Sequence, residues 1–285
     1  MKSYLIATAC NKKYENFLYN HWLKSLRENV ELSNIDLLII DYGLSENIRK
    51  KILEEGFLIY EASNRKGLIN NNRFIELRDF LLGKKYDQVL ICDSGDIIFQ
   101  SDISHLFEFC NSRIRGCYEE ISPHMDMLIA EADINYDITK IKDFMKKNKN
   151  MLINVGFLIF PYDLYIEIVN SMEKMIKNPD KWGLETILLN YLIKKEQFCE
   201  ISTIYNFIPT TSTKKYFVKD GKFYFEDGTL IPVVHNAGGN KFLRPIRNFG
   251  YGKEYNKEKK FIIFLLRNFY KFLSFFRKNM LINHR

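Results

Sequence analysis

VLICDSGDIIFQSDISHLF, residues 89–107, decides how this chain is read. An apolar run ends on two aspartates, Asp93 and Asp96, and then resumes. Like charges brought together at the end of a buried strand repel, so the pair needs a compensating partner. Upstream, short runs filled with apolar residues predict strands at SYLIATA (3–9), IDLLIIDYG (35–43), FLIYEAS (57–63) and YDQVLICD (86–93). Between them, helical spacing marks 14–29, 44–56 and 71–85, the second with Ser45 placed to cap it and Gly56 to end it. Strands apolar on both faces and alternating with helices predict a mainly parallel α/β sheet. In such sheets ligands sit outside the carboxyl ends of the strands, and Asp93 lies at one.

The second half is less regular. Residues 119–150 predict polar helix, MLINVGFLIFP (151–161) a strand, and 163–178 and 182–195 helices. IPVVHNAGGNK (231–241) reads as a strand running into a glycine-rich turn. No repeat and no low-complexity linker divides the chain, and a change of composition near residue 255 sets off the tail. The expected organisation is a catalytic domain over 1–255 and a basic, aromatic-rich segment over 256–285.

With 285 residues and 46% hydrophobic composition the chain can bury a sizeable core, which excludes a disordered protein. Its net charge of +7 favours anionic partners. No nucleic-acid recognition motif accompanies that charge, so nucleic acid is not the expected partner. Five scattered cysteines without a CxxC spacing argue against structural zinc and a disulfide framework, and fit a reducing compartment. The apolar run in MKSYLIATACNKKY is too short for a secretory core, so a cytoplasmic location is expected.

Gly95 lets the backbone turn between Asp93 and Asp96, and two converging carboxylates suit a hard divalent ion such as Mn²⁺ or Mg²⁺. The alternative is a solvated turn. His235 ends a second apolar run and is followed by Gly238, Gly239 and Lys241. That pattern is either a tight turn or a place where backbone and lysine meet a phosphate; it is not a Walker A loop. Together these residues describe a metal–diphosphate site that assists departure of a diphosphate.

In their order along residues 3–245 these segments resemble the GT-A fold glycosyltransferases, most closely glycosyltransferase family 8. That family includes bacterial lipopolysaccharide galactosyl- and glucosyltransferases and glycogenin. The resemblance implies a Rossmann-like mixed, mainly parallel sheet flanked by helices. YLIATACNKKY is similar to the family's first strand and nucleotide-binding loop, implying Ala7, Thr8 and Tyr14 at the nucleotide. NNNRFIELRDFL resembles the helix bearing a donor-binding arginine, here Arg73. DSGD stands where the family has DxD, implying Asp93 and Asp96 as metal ligands and Asp93 and Ser94 near the donor; it is one residue longer. INVGFLIFP implies Asn154 facing the donor sugar. WGLETILLNYL resembles a helix that usually begins Asp-Gln, here Glu185 and Thr186. HNAGGNK keeps the His-x-x-Gly-x-x-Lys spacing, implying His235 on the metal and Gly238 and Lys241 on the diphosphate, with Phe242 where proline is common. The implied reaction is metal-dependent transfer of a hexose from a UDP-sugar to a glycan or glycolipid hydroxyl, with retention of configuration. Asn154 or Glu185 would stabilise positive charge on the sugar. The alternative for Glu185 is an acid favoured at a helix N-terminus. Rival readings are a nucleotidyltransferase of related fold and an inactive nucleotide-sugar- or lipid-surface-binding protein.

The tail, KKFIIFLLRNFYKFLSFFRKNMLINHR (259–285), is too interrupted by charge to span a bilayer. On a helical wheel Lys260, Arg267, Lys271, Ser274 and Lys278 fall within about 60° of one another. The remaining surface is mostly Phe, Leu and Ile, which predicts a helix lying on an anionic membrane surface. The alternative is a helix docked on the catalytic domain. A membrane-peripheral location suits a glycolipid acceptor.

Overall fold

The computed structural model describes residues 3–63, 65–120, 128–129, 132–148, 151–212, 214–237, 246 and 248–253, and positions 261, 264, 265, 268, 269 and 272. Four parallel strands come first: β1 (Tyr4–Cys10), β2 (Ile35–Asp41), β3 (Leu58–Glu61) and β4 (Gln88–Cys92). Along β1, Leu5, Ala7 and Ala9 face one core while Ile6 and Cys10 face the other. In β4, Val89 and Ile91 oppose Leu90 and Cys92 in the same way. Burial on both faces is why these runs are continuously apolar rather than alternating. Helices Ile69–Leu81, Tyr162–Met175 and Leu184–Leu192 cover one face. The helical segment over 15–29 covers the other, with a wider π turn at Leu18–Leu23 that turns Leu18, Trp22 and Leu23 inward.

Beyond β4 the sheet is no longer parallel. β5 (Ile97–Phe99) leaves the sheet, and β6 (Ile114–Gly116), β7 (Phe157–Pro161) and β8 (Phe198–Glu200) complete the order β3-β2-β1-β4-β7-β6-β8. β7 runs antiparallel to β4, with Cys92 opposite Phe157. Between β4 and β7 the chain passes through β5 and β6, and it re-enters beside β4 from the opposite direction. The start of β7, with Asn154 and Gly156, therefore lies beside the end of β4. Of the expected strand 151–161 only the last five residues are strand. Of the expected helix 119–150, residues 121–127, 130–131 and 149–150 lie outside the described residues; Ile138–Lys147 forms a helix, capped by the Asp137 side chain, which accepts from Thr139 N at 2.9 Å.

A third layer comprises β9 (Tyr216–Lys219), β10 (Lys222–Phe225) and β11 (Val233–His235). The β9–β10 hairpin turns on Asp220 and Gly221, both at positive φ, as a tight Asp-Gly turn requires. β11 pairs antiparallel with β5, placing His235 opposite Ile97. Cys110 and Cys199 form a disulfide that ties the approach to β6 to its neighbour β8, Cα atoms 6.5 Å apart. The sequence argued against a disulfide framework; one disulfide nevertheless forms, because residues 89 apart in sequence meet through the β6–β8 ladder. Among the described residues no helix is long and apolar enough to cross a membrane.

Gln100 joins the layers. Its buried amide donates to Phe223 O (3.1 Å) and Ile231 O (2.7 Å) and accepts from Phe223 N (2.9 Å). Gln100→Leu leaves buried backbone groups without those partners and is expected to cost about 2–4 kcal/mol. Urea unfolding should show a lower midpoint at an unchanged slope; an unchanged midpoint would show that the layers do not depend on this side chain.

Candidate active site

An open cleft of about 380 Å³ lies at the carboxyl rim of β1 and β4. Asp93, Asp96 and His235 converge in it, their ligand atoms all within 4.8 Å of one another. His235 Nε2 is 3.4 Å from Asp93 Oδ2 and 3.5 Å from Asp96 Oδ1. Backbone pairing creates the convergence: Asn236 N donates to Asp96 O at 2.8 Å and Asp93 N to Gly156 O at 3.0 Å. The extra residue in Asp-Ser-Gly-Asp does not splay the carboxylates. Gly95 is needed here for space rather than for a positive φ. A Cβ on it would lie 3.0 Å from Tyr14 Cδ1, so the Tyr14 ring packs directly over the acidic turn. At Gly156 a Cβ would lie 2.6 Å from His235 Cε1, so that position admits no side chain while His235 stays in place.

Positive charge holds the carboxylates together. Arg73, 5% exposed, pairs with Asp93 through its guanidinium. Burial works to lift the Asp93 carboxyl, but Arg73 and then His235 outweigh it and hold the group well below the usual range. Burial likewise works against the His235 imidazolium, and Asp96 and Asp93 overcome it, raising the imidazole to about 9. The buried Nε2 has no hydrogen-bond partner. Two carboxylates and one imidazole nitrogen are a donor set that fits Mn²⁺ or Mg²⁺.

Glu185 forms part of the cleft wall and is 4% exposed. Its Oε2 has no hydrogen-bond partner. Burial raises its carboxyl above the ordinary value, against the pull of Arg73. It is positioned by Asn71, whose Oδ1 accepts from Glu185 N (3.1 Å) while Nδ2 donates to Pro179 O (2.7 Å) and Lys181 O (2.9 Å). Asn154 also borders the cleft; its Oδ1 accepts from Gly156 N and its Nδ2 donates to Glu119.

The structure thus brings Tyr14, Arg73, Asp93, Ser94, Asp96, Asn154, Glu185 and His235 to one cleft. Ser94 directs its hydroxyl to Ala9 O at 2.7 Å. Ala7 and Thr8 do not reach the cleft. Both are buried in β1, where Thr8 Oγ1 donates to Cys92 O, and the wall is formed further on by Ala9, Cys10 and Asn11. Gly238 and Lys241 lie outside the described residues. Asn71, Glu119 and Asn206 are functional neighbours that sequence reasoning missed. Asn71 stood within the quoted NNNRF run, whose repeated buried amides were a usable signal; Glu119 and Asn206 carried none.

No family model and no curated protein matches the sequence. Solved structures match in fold. WbbM, a bifunctional glycosyltransferase, aligns with a TM-score of 0.56 at 10% identity, over 85% of this chain and 47% of that one. GlyE, a glycosyltransferase of Streptococcus pneumoniae TIGR4, gives 0.52 at 14% identity, over 94% and 60%. The galactosyltransferase LgtC, in complex with donor and acceptor sugar analogs, gives 0.51 at 15% identity, over 93% and 95%. The chain spans about half the length of WbbM and nearly all of LgtC. At these identities the likeness shows the fold, which is the GT-A arrangement of these glycosyltransferases.

Glu185 supplies a pH test. Its ordinary value is 4.5 and its folded value is raised, so ionisation is harder in the folded protein. The destabilisation is absent below 4.5, develops as pH rises through the folded value and is constant above it. Glu185→Gln should therefore melt higher than the wild type, with a gap that widens across this window. A gap independent of pH would contradict the buried-carboxylate assignment.

Proposed function

We propose that this protein is a glycosyltransferase that moves a hexose from a UDP-sugar to a hydroxyl of a glycan or glycolipid, with retention of configuration. The observation that carries the reading is the convergence of Asp93, Asp96 and His235 Nε2 at the carboxyl rim of a GT-A sheet. These three residues would hold a Mn²⁺ or Mg²⁺ ion, which supplies Lewis-acid charge to the departing diphosphate. Tyr14, over the acidic turn, offers a ring face to the uracil. Arg73 keeps Asp93 ionised. In the reaction the bond from the sugar C1 to the diphosphate oxygen breaks and a bond from C1 to the acceptor oxygen forms. The acceptor proton passes to the released diphosphate. Glu185 and Asn154, on the cleft wall, stabilise positive charge developing on the sugar ring.

We place the protein on the inner face of the cytoplasmic membrane. Phe261, Phe264, Leu265, Phe269 and Phe272 are helical and exposed, which supports an apolar face lying on lipid; the cations aligned on the helical wheel lie outside the described residues. The acceptor is then a lipid-linked glycan, such as a lipopolysaccharide core.

A screen of UDP-sugars for release of UDP tests the activity. Release should require Mn²⁺ or Mg²⁺, and Asp93→Asn or Asp96→Asn should lower it about 100-fold or more. Metal-independent release, or none from any UDP-sugar, would overturn the reading. For the tail, deletion of 256–285 should abolish co-sedimentation with phosphatidylglycerol vesicles; undiminished sedimentation would refute the membrane placement.

A further inference from the structure

A chain of side-chain amides runs from the cleft wall to the back of His235, and one backbone group sets its direction. The Gly156 N–H can only donate, and it lies 3.0 Å from Asn154 Oδ1. That atom is therefore the amide oxygen, and Asn154 Nδ2 donates the other way, to Glu119 Oε1 at 3.1 Å. The Asn206 atom 2.9 Å from Asn154 Oδ1 must then be a donor, Nδ2. With Nδ2 so committed, Asn206 turns Oδ1 to His235 Nδ1 at 2.9 Å. An amide oxygen only accepts, so Nδ1 carries a proton and donates it. The other ring nitrogen, Nε2, faces Asp93 and Asp96.

Asn206 is well placed to impose this. It is 3% exposed and closes the helical turn Thr203–Asn206. The next residue, Phe207, donates its N–H to Val233 O at 3.0 Å and accepts from His235 N at 2.8 Å. The backbone around Asn206 is thus fastened to the strand that carries His235.

We propose that Asn206 is a positioning residue that holds His235 in the Nδ1–H form, so that Nε2 presents its lone pair to a divalent cation shared with Asp93 and Asp96. This rests on the metal reading above and adds the residue that orients the imidazole. An imidazole ligand binds through whichever nitrogen is not donating, and the partner of the other nitrogen decides which that is. Because the same Asn206 amide also donates to Asn154, a single side chain braces both the metal side and the sugar side of the cleft.

Metal binding, read without donor or acceptor, tests it. Mn²⁺ titrations followed by electron paramagnetic resonance should show Asn206→Leu binding about 10–100-fold more weakly than the wild type. The second measurement needs no variant at this position. Long-range proton–nitrogen spectra of Mg²⁺-loaded wild type, with His235 assigned by its loss in His235→Ala, should show Nδ1 protonated and Nε2 bare. Equal Mn²⁺ affinity in Asn206→Leu, or a bare Nδ1, overturns the role of Asn206 while leaving the metal site standing. A wild type that takes up no Mn²⁺ overturns the metal reading and this inference together. Should Asn206→Leu fail to fold, the wild-type spectrum decides.

Discussion

Two carboxylates crowded at the end of a buried strand are the constraint on which the site depends. Asp93 and Asp96 can share a rim only if cations stand close to both. The fold supplies them from distant parts of the chain: Arg73 from the helix Ile69–Leu81, and His235 from the last strand. Each is nearly or wholly buried, so neither is screened by water as a surface partner would be. The antiparallel entry of β7 follows the same logic. It places Gly156, with no side chain, where His235 needs room, and Asn154 where an amide can brace the cluster. The disposition of β5 against β11 completes it, since their register puts His235 next to the residue that follows Asp96.

How legible this was depended on the kind of physics each part uses. β1, β2 and β4 are buried on both faces, so their continuous apolar runs mark them with little ambiguity. Asp93 and His235 were visible for the same reason: polar residues that end such runs stand out. β5, β6 and β8 are three residues long and gain their stability from partners far away in sequence, leaving no local period to read. The direction of β7 was equally hidden, because an apolar run does not record which way its neighbour runs. The β9–β10 hairpin did leave one mark, the Asp220-Gly221 turn, but its flanking strands alternate weakly. Asn206 acts through two side-chain hydrogen bonds made possible by tertiary contact, to Asn154 and His235, and a lone asparagine is too common to signal that; Asn71 at least stood in a run of asparagines. Ala7 and Thr8 show a limit of motif reading. A motif located the right strand, but the strand's own burial keeps those two residues from the cleft.

The cleft contains buried polar atoms that the protein's own residues leave unused. Glu185 Oε2, Arg73 Nε and His235 Nε2 are buried without hydrogen-bond partners, and all three belong to residues of one cleft. Such atoms occur outside the cleft as well, at Trp22 Nε1, Tyr42 Oη and Arg115 Nε, while the amides of Gln100 and Asn71 are bonded at both ends. A buried polar group left without a partner costs on the order of 1–3 kcal/mol, so three of them gathered in one cleft call for an account. They are explained if the missing partners belong to a ligand carrying both negative and hydroxyl-bearing groups beside a cation. A diphosphate joined to a sugar has that composition. Under the function proposed above, the stability given up at Glu185 would be recovered as affinity for such a ligand.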